Sequence, residues 1–303
     1  MNKSCSYVNG NYYVVMFNDG TKVRHNNEDS FKPQFPESID LKICNRCNMG
    51  CPMCHEQSVP NGELADLDNP LLDSLHPYTE LAIGGGNPLE HPGLEAFLMK
   101  MRDKNVICNI TVHFAHFMEN AAQIAIWCKQ DLLHGVGVSV NRPLSQTEID
   151  VLKQFPNLVI HTIAGVTTNE TFHSLYDNGL KVLILGYKDF GRGVVYGKSH
   201  PYLTFSIDDL ANNLSELAKH FDIVSFDNLA VEQLSVRNIV TDKEWEMSYM
   251  GDDGNFTMYV DLVKKQYALS SVSVRHNITS DKIEDLFANV INEANEFVEV
   301  TNG

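Results

Sequence analysis

The chain has 303 residues, 43% of them hydrophobic, with 39 acidic side chains against 23 basic ones and a formal net charge of −16; that is apolar material for one large α/β domain or two small ones. The acidic balance excludes nonspecific nucleic-acid binding, which needs a basic surface, and leaves a nucleotide-sized substrate open. No apolar run approaches the length of a membrane span and residues 1–10 lack a hydrophobic signal core, so the expectation is a cytoplasmic protein, off the membrane, with reduced thiols.

The first predicted element is a hairpin. Tyr12 to Phe17 is strand-like, Asn18-Asp19-Gly20 is a turn signal, and residues 21–24 return. A polar linker marked by Pro33 and Pro36 follows, and the whole of 1–38 reads as an edge cover for the domain behind it. Apolar or β-rich runs then recur at 39–44, 79–83, 106–113, 135–140, 158–164, 181–187 and 222–226. Helical patterns separate them at 94–104, 120–130, 145–154 and 207–221. This alternation predicts a parallel sheet with crossover helices, and the near-continuous apolar strands fit a sheet covered on both faces.

Past Asn228 the pattern changes. Residues 246–250, 256–260 and 266–270 look like short antiparallel strands, with 251–254 as one turn, and Ser280 suits the cap of a helix running to about Phe297. Three segments are therefore expected: a hairpin and linker (1–38), an α/β core (39–228), and small C-terminal strands with a helix packing on that core (229–303).

Four of the seven cysteines, Cys44, Cys47, Cys51 and Cys54, fall within 43–55, Ile-Cys-Asn-Arg-Cys-Asn-Met-Gly-Cys-Pro-Met-Cys-His. Thiols this close hold a metal or form disulfides. Disulfides are the weaker reading, because adjacent pairs would close very short, strained loops. Zinc ribbons take two separated cysteine pairs or distant histidines, and no second Cys-x-x-Cys occurs downstream. The spacing Cys47-x-x-x-Cys51-x-x-Cys54 suits an iron–sulfur cube with one corner open to a ligand. A zinc site in a non-catalytic interaction protein stays as the alternative, and it would use Cys44 as a fourth ligand. Cys5, Cys108 and Cys128 are scattered and read as buried small hydrophobes.

The same spacing resembles the signature of the radical SAM enzymes. The context strengthens it: the cysteines follow an apolar run, 39–43, and a second run, 79–83, ends in Gly84-Gly85-Gly86-Asn87-Pro88. That stretch is similar to the family's glycine-rich loop after the second strand, which contacts the methionine moiety of S-adenosylmethionine. The resemblance covers about 40–228. It implies a partial six-stranded TIM-like barrel, a [4Fe–4S] cluster on Cys47, Cys51 and Cys54, and S-adenosyl-L-methionine on the fourth iron. It also implies a low-potential electron donor such as flavodoxin or ferredoxin, anaerobic chemistry, and reductive cleavage to a 5′-deoxyadenosyl radical that abstracts hydrogen from a substrate. In this family two positions usually hold other residues. Met53 stands where an aromatic residue often precedes the third cysteine, and its thioether can pack on adenine. Asn87 replaces a glutamate, so it accepts a hydrogen bond without pairing a charge.

Other residues follow from the resemblance by position. Gly85, Gly86 and Asn87 are expected at the cofactor, as are Ser139 and Asn141 at the end of the fourth core strand and Gly165 after the fifth. Gly165 reads equally as a plain turn glycine. His113 and His116 flank the third strand end, His113 as a candidate substrate wall, while His55 is expected no nearer than behind the cluster. The run 186–193 suits a mobile loop at the cavity mouth, with Tyr187, Lys188 and Arg192 as candidate substrate contacts and a cation for an anionic group. Asp227 and Asn228 should lie near the same mouth. No cysteine follows Cys128, so an auxiliary cluster on C-terminal cysteines is not expected. With no winged-helix segment in front, a small-molecule or nucleotide-like substrate is the expectation and a peptide substrate the alternative.

Overall fold

The computed structural model describes residues 3–17 and 20–301. Three antiparallel strands come first, β1 (Lys3–Asn9), β2 (Tyr12–Phe17) and β3 (Lys22–His25), in the order β1-β2-β3. The expected hairpin is β2–β3. Asn18 and Asp19 of its turn lie outside the described residues, and the Gly20 amide donates to the Phe17 carbonyl at 3.0 Å. Strand β1 was not foreseen, because its polar start hides the alternation. This small sheet is tied to the α/β core through Glu37, which is 1% exposed. Tyr12 donates to its carboxylate at 2.7 Å and Arg24 Nε at 2.8 Å, while Lys22 pairs with Glu80 at 2.8 Å.

The main sheet has ten strands: β4 (Ser38–Cys44), β5 (Glu80–Gly85), β6 (Ile107–His113), β7 (Gly135–Ser139), β8 (Leu158–Ile163), β9 (Lys181–Leu185), β10 (Ile223–Phe226), β11 (Thr257–Asp261), β12 (Gln266–Ala268) and β13 (His276–Asn277). Their order is β10-β9-β8-β7-β6-β5-β4-β11-β12-β13. From β10 through β11 each neighbour pair is parallel, and β12 and β13 add antiparallel strands. The helices are α1 (Leu94–Asp103), α2 (Phe114–Lys129), α3 (Gln146–Leu152), α4 (Asn169–Leu175), α5 (Arg192–Ser199), α6 (Leu203–Leu217), α7 (Asn228–Gln233), α8 (Asp242–Ser248) and α9 (Ile283–Thr301). All seven expected core strands are present, and α1, α2, α3 and α6 match the expected helices.

Strand alternation sorts side chains to two destinations. Ile39 and Ile43 of β4, Ile160 of β8, and Val182 and Ile184 of β9 are essentially fully buried in the hydrophobic core. The opposite set, Asp40, Lys42, His161, Ile163, Leu183 and Leu185, lines one central cavity. The core therefore sits on one face of the sheet and the cavity on the other.

Three expectations need correction. Residues 256–260 do not pair only antiparallel: β11 runs parallel to β4, with Met258 opposite Ile39 and Val260 opposite Leu41. Met258, Tyr259 and Val260 are all buried, which is the mark of a strand covered on both faces. Residues 246–250 are not a strand. Thr241 accepts from the Glu244 amide while Glu244 accepts from Thr241, a capping box that starts α8. The short helices α4, α5 and α7 were also unread, since six to eight residues carry little periodicity. Helix α9 begins at Ile283, with Ser280 accepting from the Lys282 amide one turn earlier.

Candidate active site

The loop after β4 carries the cysteines across the C-terminal ends of the parallel strands, and backbone bonds hold it from two sides. The Cys47 amide donates to Val59 O at 2.9 Å and Val59 N to Asn45 O at 3.1 Å. From the glycine loop after β5, Gly86 N reaches Cys44 O and Asn87 N reaches Arg46 O, both at 2.6 Å. A Cβ on Gly86 would sit 2.2 Å from Arg46 O, so a side chain there forces these two loops apart. The glycine run is thus required for the close approach, whatever it also binds.

Side chains complete the fastening. Arg192, at the start of α5, donates from Nε to Cys51 O at 3.1 Å and from Nη1 to Ser58 O at 2.9 Å, and its amide donates to Cys54 O at 3.1 Å. His116 of α2 meets Asn48 Oδ1 at 2.8 Å. At the loop exit Glu56 takes Lys42 Nζ at 2.5 Å and the Tyr259 hydroxyl at 3.0 Å, and Asp261 lies 3.3 Å from the same ammonium. Burial alone would raise the Glu56 carboxyl, but hydrogen bonds from His55 and Lys42 with their charges hold it well below the usual carboxylate range. Lys42 and Asp261 are 3% exposed, so this ion cluster is interior and each charge needs the others.

The cavity has a volume of about 440 Å³. Of the expected residues, Cys47, Cys51, Cys54, Met53, Gly85, Gly86, Ser139, His113, Tyr187, Lys188 and Arg192 all line it, as do His55, His116 and Asp227. Three do not. Asn87 caps the short turn Pro88–Glu90, accepting from the Leu89 amide and donating to Glu90, so its side chain is already used. Asn141 is exposed beyond the end of β7. Gly165, at φ +73°, would place a Cβ 2.7 Å from Ile207 Cγ1 and 2.9 Å from Leu203 Cδ1, so its freedom serves the packing of α6.

The run 186–193 is fastened rather than mobile. The Tyr187 hydroxyl donates to Gly193 O, its amide to Gln233 Oε1 at 2.8 Å, and Lys188 Nζ to the Ser271 hydroxyl at 2.7 Å. Arg192 is spent on carbonyls of the cysteine loop, so its role as an anion clamp gives way to one as a strap.

Burial pushes the Cys47 and Cys51 thiols up, reinforced by the neighbouring cysteines and only partly opposed by Arg192. Such thiols stay protonated at neutral pH until a cationic centre replaces the protons. Cys44 differs. Its sulfur accepts from Arg46 N at 3.2 Å and donates to Arg46 O at 3.3 Å, and it is fully buried away from the cavity. Among the described residues no three His, Cys, Asp or Glu side chains converge on one ion position. Cys47, Cys51 and Cys54 line one cavity with Gly85, Gly86, Met53 and Ser139, and three thiols with this spacing are a donor set that suits an iron–sulfur cluster with room in the same cavity for an organic ligand.

Asp40, Lys42, Glu56, His161, Tyr259 and Ser271 also belong to this site and were not singled out from the sequence. One signal was available: Asp40 and Lys42 interrupt an otherwise apolar strand at alternate positions, which places two charges on the non-core face.

Fold and site together define a mixed α/β protein with a large parallel sheet and a thiol-lined cavity at the strand ends. No family model matches the chain, and no curated protein matches it either. Solved structures do. The chain is similar to SuiB of Streptococcus suis bound to its precursor peptide SuiA, at 12% identity and TM-score 0.53, over 86% of this chain and 66% of that one. SuiB bound to S-adenosylmethionine gives 11% identity and TM-score 0.54, over 84% of this chain and 66% of that one. The chain thus spans slightly under two thirds of SuiB, and what is shared at this identity is the fold.

Proposed function

We propose that the protein is a radical SAM enzyme whose parallel strands from β4 to β9 form the partial barrel of that family around the cavity. One observation carries the reading. Cys47, Cys51 and Cys54 share one cavity wall beside the backbone of Gly84, Gly85 and Gly86, while Cys44 is turned away into its own backbone bonds. Cys47, Cys51 and Cys54 would hold a [4Fe–4S] cluster, and Gly85, Gly86, Met53 and Ser139 would seat S-adenosyl-L-methionine. When bound, that pair supplies a 5′-deoxyadenosyl radical, which takes a hydrogen atom from the substrate.

The chain's own residues do the rest. Arg192, His116 and the Lys42–Glu56–Asp261 cluster fix the cysteine loop. Apolar Ile163, Leu183 and Leu185 line the cavity and keep it dry around reactive species. His113, Tyr187 and Lys188 face the substrate. The turned-away Cys44 also deprives the zinc alternative of its fourth ligand. We read the electron donor as a low-potential protein such as flavodoxin or ferredoxin and the setting as cytoplasmic and anaerobic.

The substrate is a small molecule on this reading. The fold likeness to a protein solved with a precursor peptide favours a peptide as the second reading. The experiment is anaerobic reconstitution with iron and sulfide, then dithionite and S-adenosylmethionine, with 5′-deoxyadenosine as the readout. Its formation by the unaltered chain, and its loss in Cys47→Ala, Cys51→Ala and Cys54→Ala, is the expected result. Normal production by any one of these variants would reject the assignment.

A further inference from the structure

Two opposite charges face the central cavity without satisfying each other. Lys188, after β9, donates from Nζ to the Ser271 hydroxyl at 2.7 Å and, among the described residues, forms no ion pair. Asp40, on β4, opens into the same cavity and, among the described residues, receives no hydrogen bond and forms no ion pair. The other carboxylates nearby are already served. Asp227 accepts from Gly186 N and Ala230 N, each at 2.8 Å, and Asp253 accepts from Asn228 Nδ2 at 2.7 Å. Glu56 belongs to Lys42.

The two charges are nevertheless close enough to feel each other. Burial raises the Asp40 carboxyl, and Lys188 is the cation that opposes the rise while Asp253, Asp227 and Glu56 add to it. His161 shares this corner. Its Nδ1 is buried with no partner, and its ring is pushed down to about 4 by burial and then by Lys188, so it stands neutral at pH 7. The cavity thus presents an ammonium held by one hydroxyl and, separately, a carboxylate that no group among the described residues pairs. One ligand carrying both charges would pair with Lys188, Ser271 and Asp40 together.

We propose that the cavity binds a free α-amino acid head group, its carboxylate on Lys188 and Ser271 and its ammonium on Asp40. This names the substrate class of the proposed radical SAM site and rests on that reading for its chemistry, although not for its binding. The head group is recognised on the wall built by β4, the loop after β9 and the segment around Ser271. Cys47, Cys51 and Cys54 line the same cavity, so a ligand held by its head group there shares that space with them.

The test uses the full chain, purified anaerobically and saturated with S-adenosylmethionine, in equilibrium dialysis against the proteinogenic L-amino acids one at a time. At least one is expected to bind. On the unaltered protein its N-acetyl form and its methyl ester should each bind about 10- to 100-fold more weakly, since each loses one charge-assisted interaction. Asp40→Asn and Lys188→Met should each lose a similar factor, with Lys188→Arg recovering part of it. The chemically modified ligands keep the test sound if a variant fails to fold. Failure of every amino acid to bind would overturn the proposal. So would an N-acetyl amide binding as well as the free form, which would indicate a peptide, or amino-acid binding seen only when S-adenosylmethionine is left out, which would assign the charge pair to the cofactor. Formation of 5′-deoxyadenosine in the same preparation reports separately on the cluster reading.

Discussion

Arg192→Ala removes two hydrogen bonds that a guanidinium makes to carbonyls of the cysteine loop, at 3.1 Å to Cys51 and 2.9 Å to Ser58. Hydrogen bonds from a charged donor contribute roughly 1.5–3 kcal/mol each when desolvated. Arg192 is half-buried, so water replaces part of the loss and the lower end applies to both, about 3 kcal/mol together. The backbone bond from the residue 192 amide to Cys54 O survives the substitution. The change therefore falls on opening of the loop, whose open population should rise about 100-fold. In reconstituted protein this appears as faster loss of iron to an anaerobic chelator and faster amide exchange over 47–58. Arg192→Lys should fall between, because one ammonium cannot span two carbonyls held by a planar fork. If instead Arg192→Ala keeps its iron as the unaltered protein does and only weakens substrate binding, the strap is wrong and Arg192 is the anion clamp.

The other predictions are briefer. Cys44→Ser should keep four irons per chain and 5′-deoxyadenosine formation, as a hydroxyl can replace the thiol between Arg46 N and O; iron loss equal to that of Cys47→Ala would reveal a four-cysteine site. Asn87→Leu should act through the lost cap of Pro88–Glu90, lowering stability by about 1 kcal/mol in urea titration; a selective loss of cofactor affinity at unchanged stability would return Asn87 to the cofactor. Finally, His161 is lowered from 6.5 to about 4 in the folded chain, so as pH falls from 6.5 the unfolded state takes up the proton first. Stability should therefore drop through the window from 6.5 down to about 4, by about 3 kcal/mol in full from this group. His161→Gln should flatten the pH dependence of the urea midpoint there, and an unchanged slope would contradict it.

Local signals carried the elements well wherever they were long. The strands at 39–44, 106–113 and 158–164 and the helices α1, α2 and α6 were legible because burial on one face or both leaves a periodic trace. Short elements were not: α4, α5, α7 and α8 hold six to eight residues, and their caps, such as Thr241 with Glu244, are the only local mark. The cysteine and glycine loops were legible for another reason. Their chemistry is dense in sequence, so one stretch displays nearly the whole constellation.

What the sequence determined by itself is the close-set thiols Cys47, Cys51 and Cys54, the glycines of the next loop, and the α/β alternation that puts both loops at the same strand ends. Only the tertiary structure decided which neighbours those loops have. That Cys44 turns inward, that Asn87 is a cap, that Gly165 makes room for α6 and that Arg192 straps the loop are facts of packing between residues distant in the chain. The placement of β11 is the clearest case. Its five residues, 257–261, pair with β4 and bring Tyr259 and Asp261 to Glu56 and Lys42, more than two hundred residues away in sequence. Periodicity reports whether a strand is buried and on which faces, but hydrogen-bond partners across a sheet leave no local trace, so pairing and the charge clusters it assembles are settled only when the chain folds.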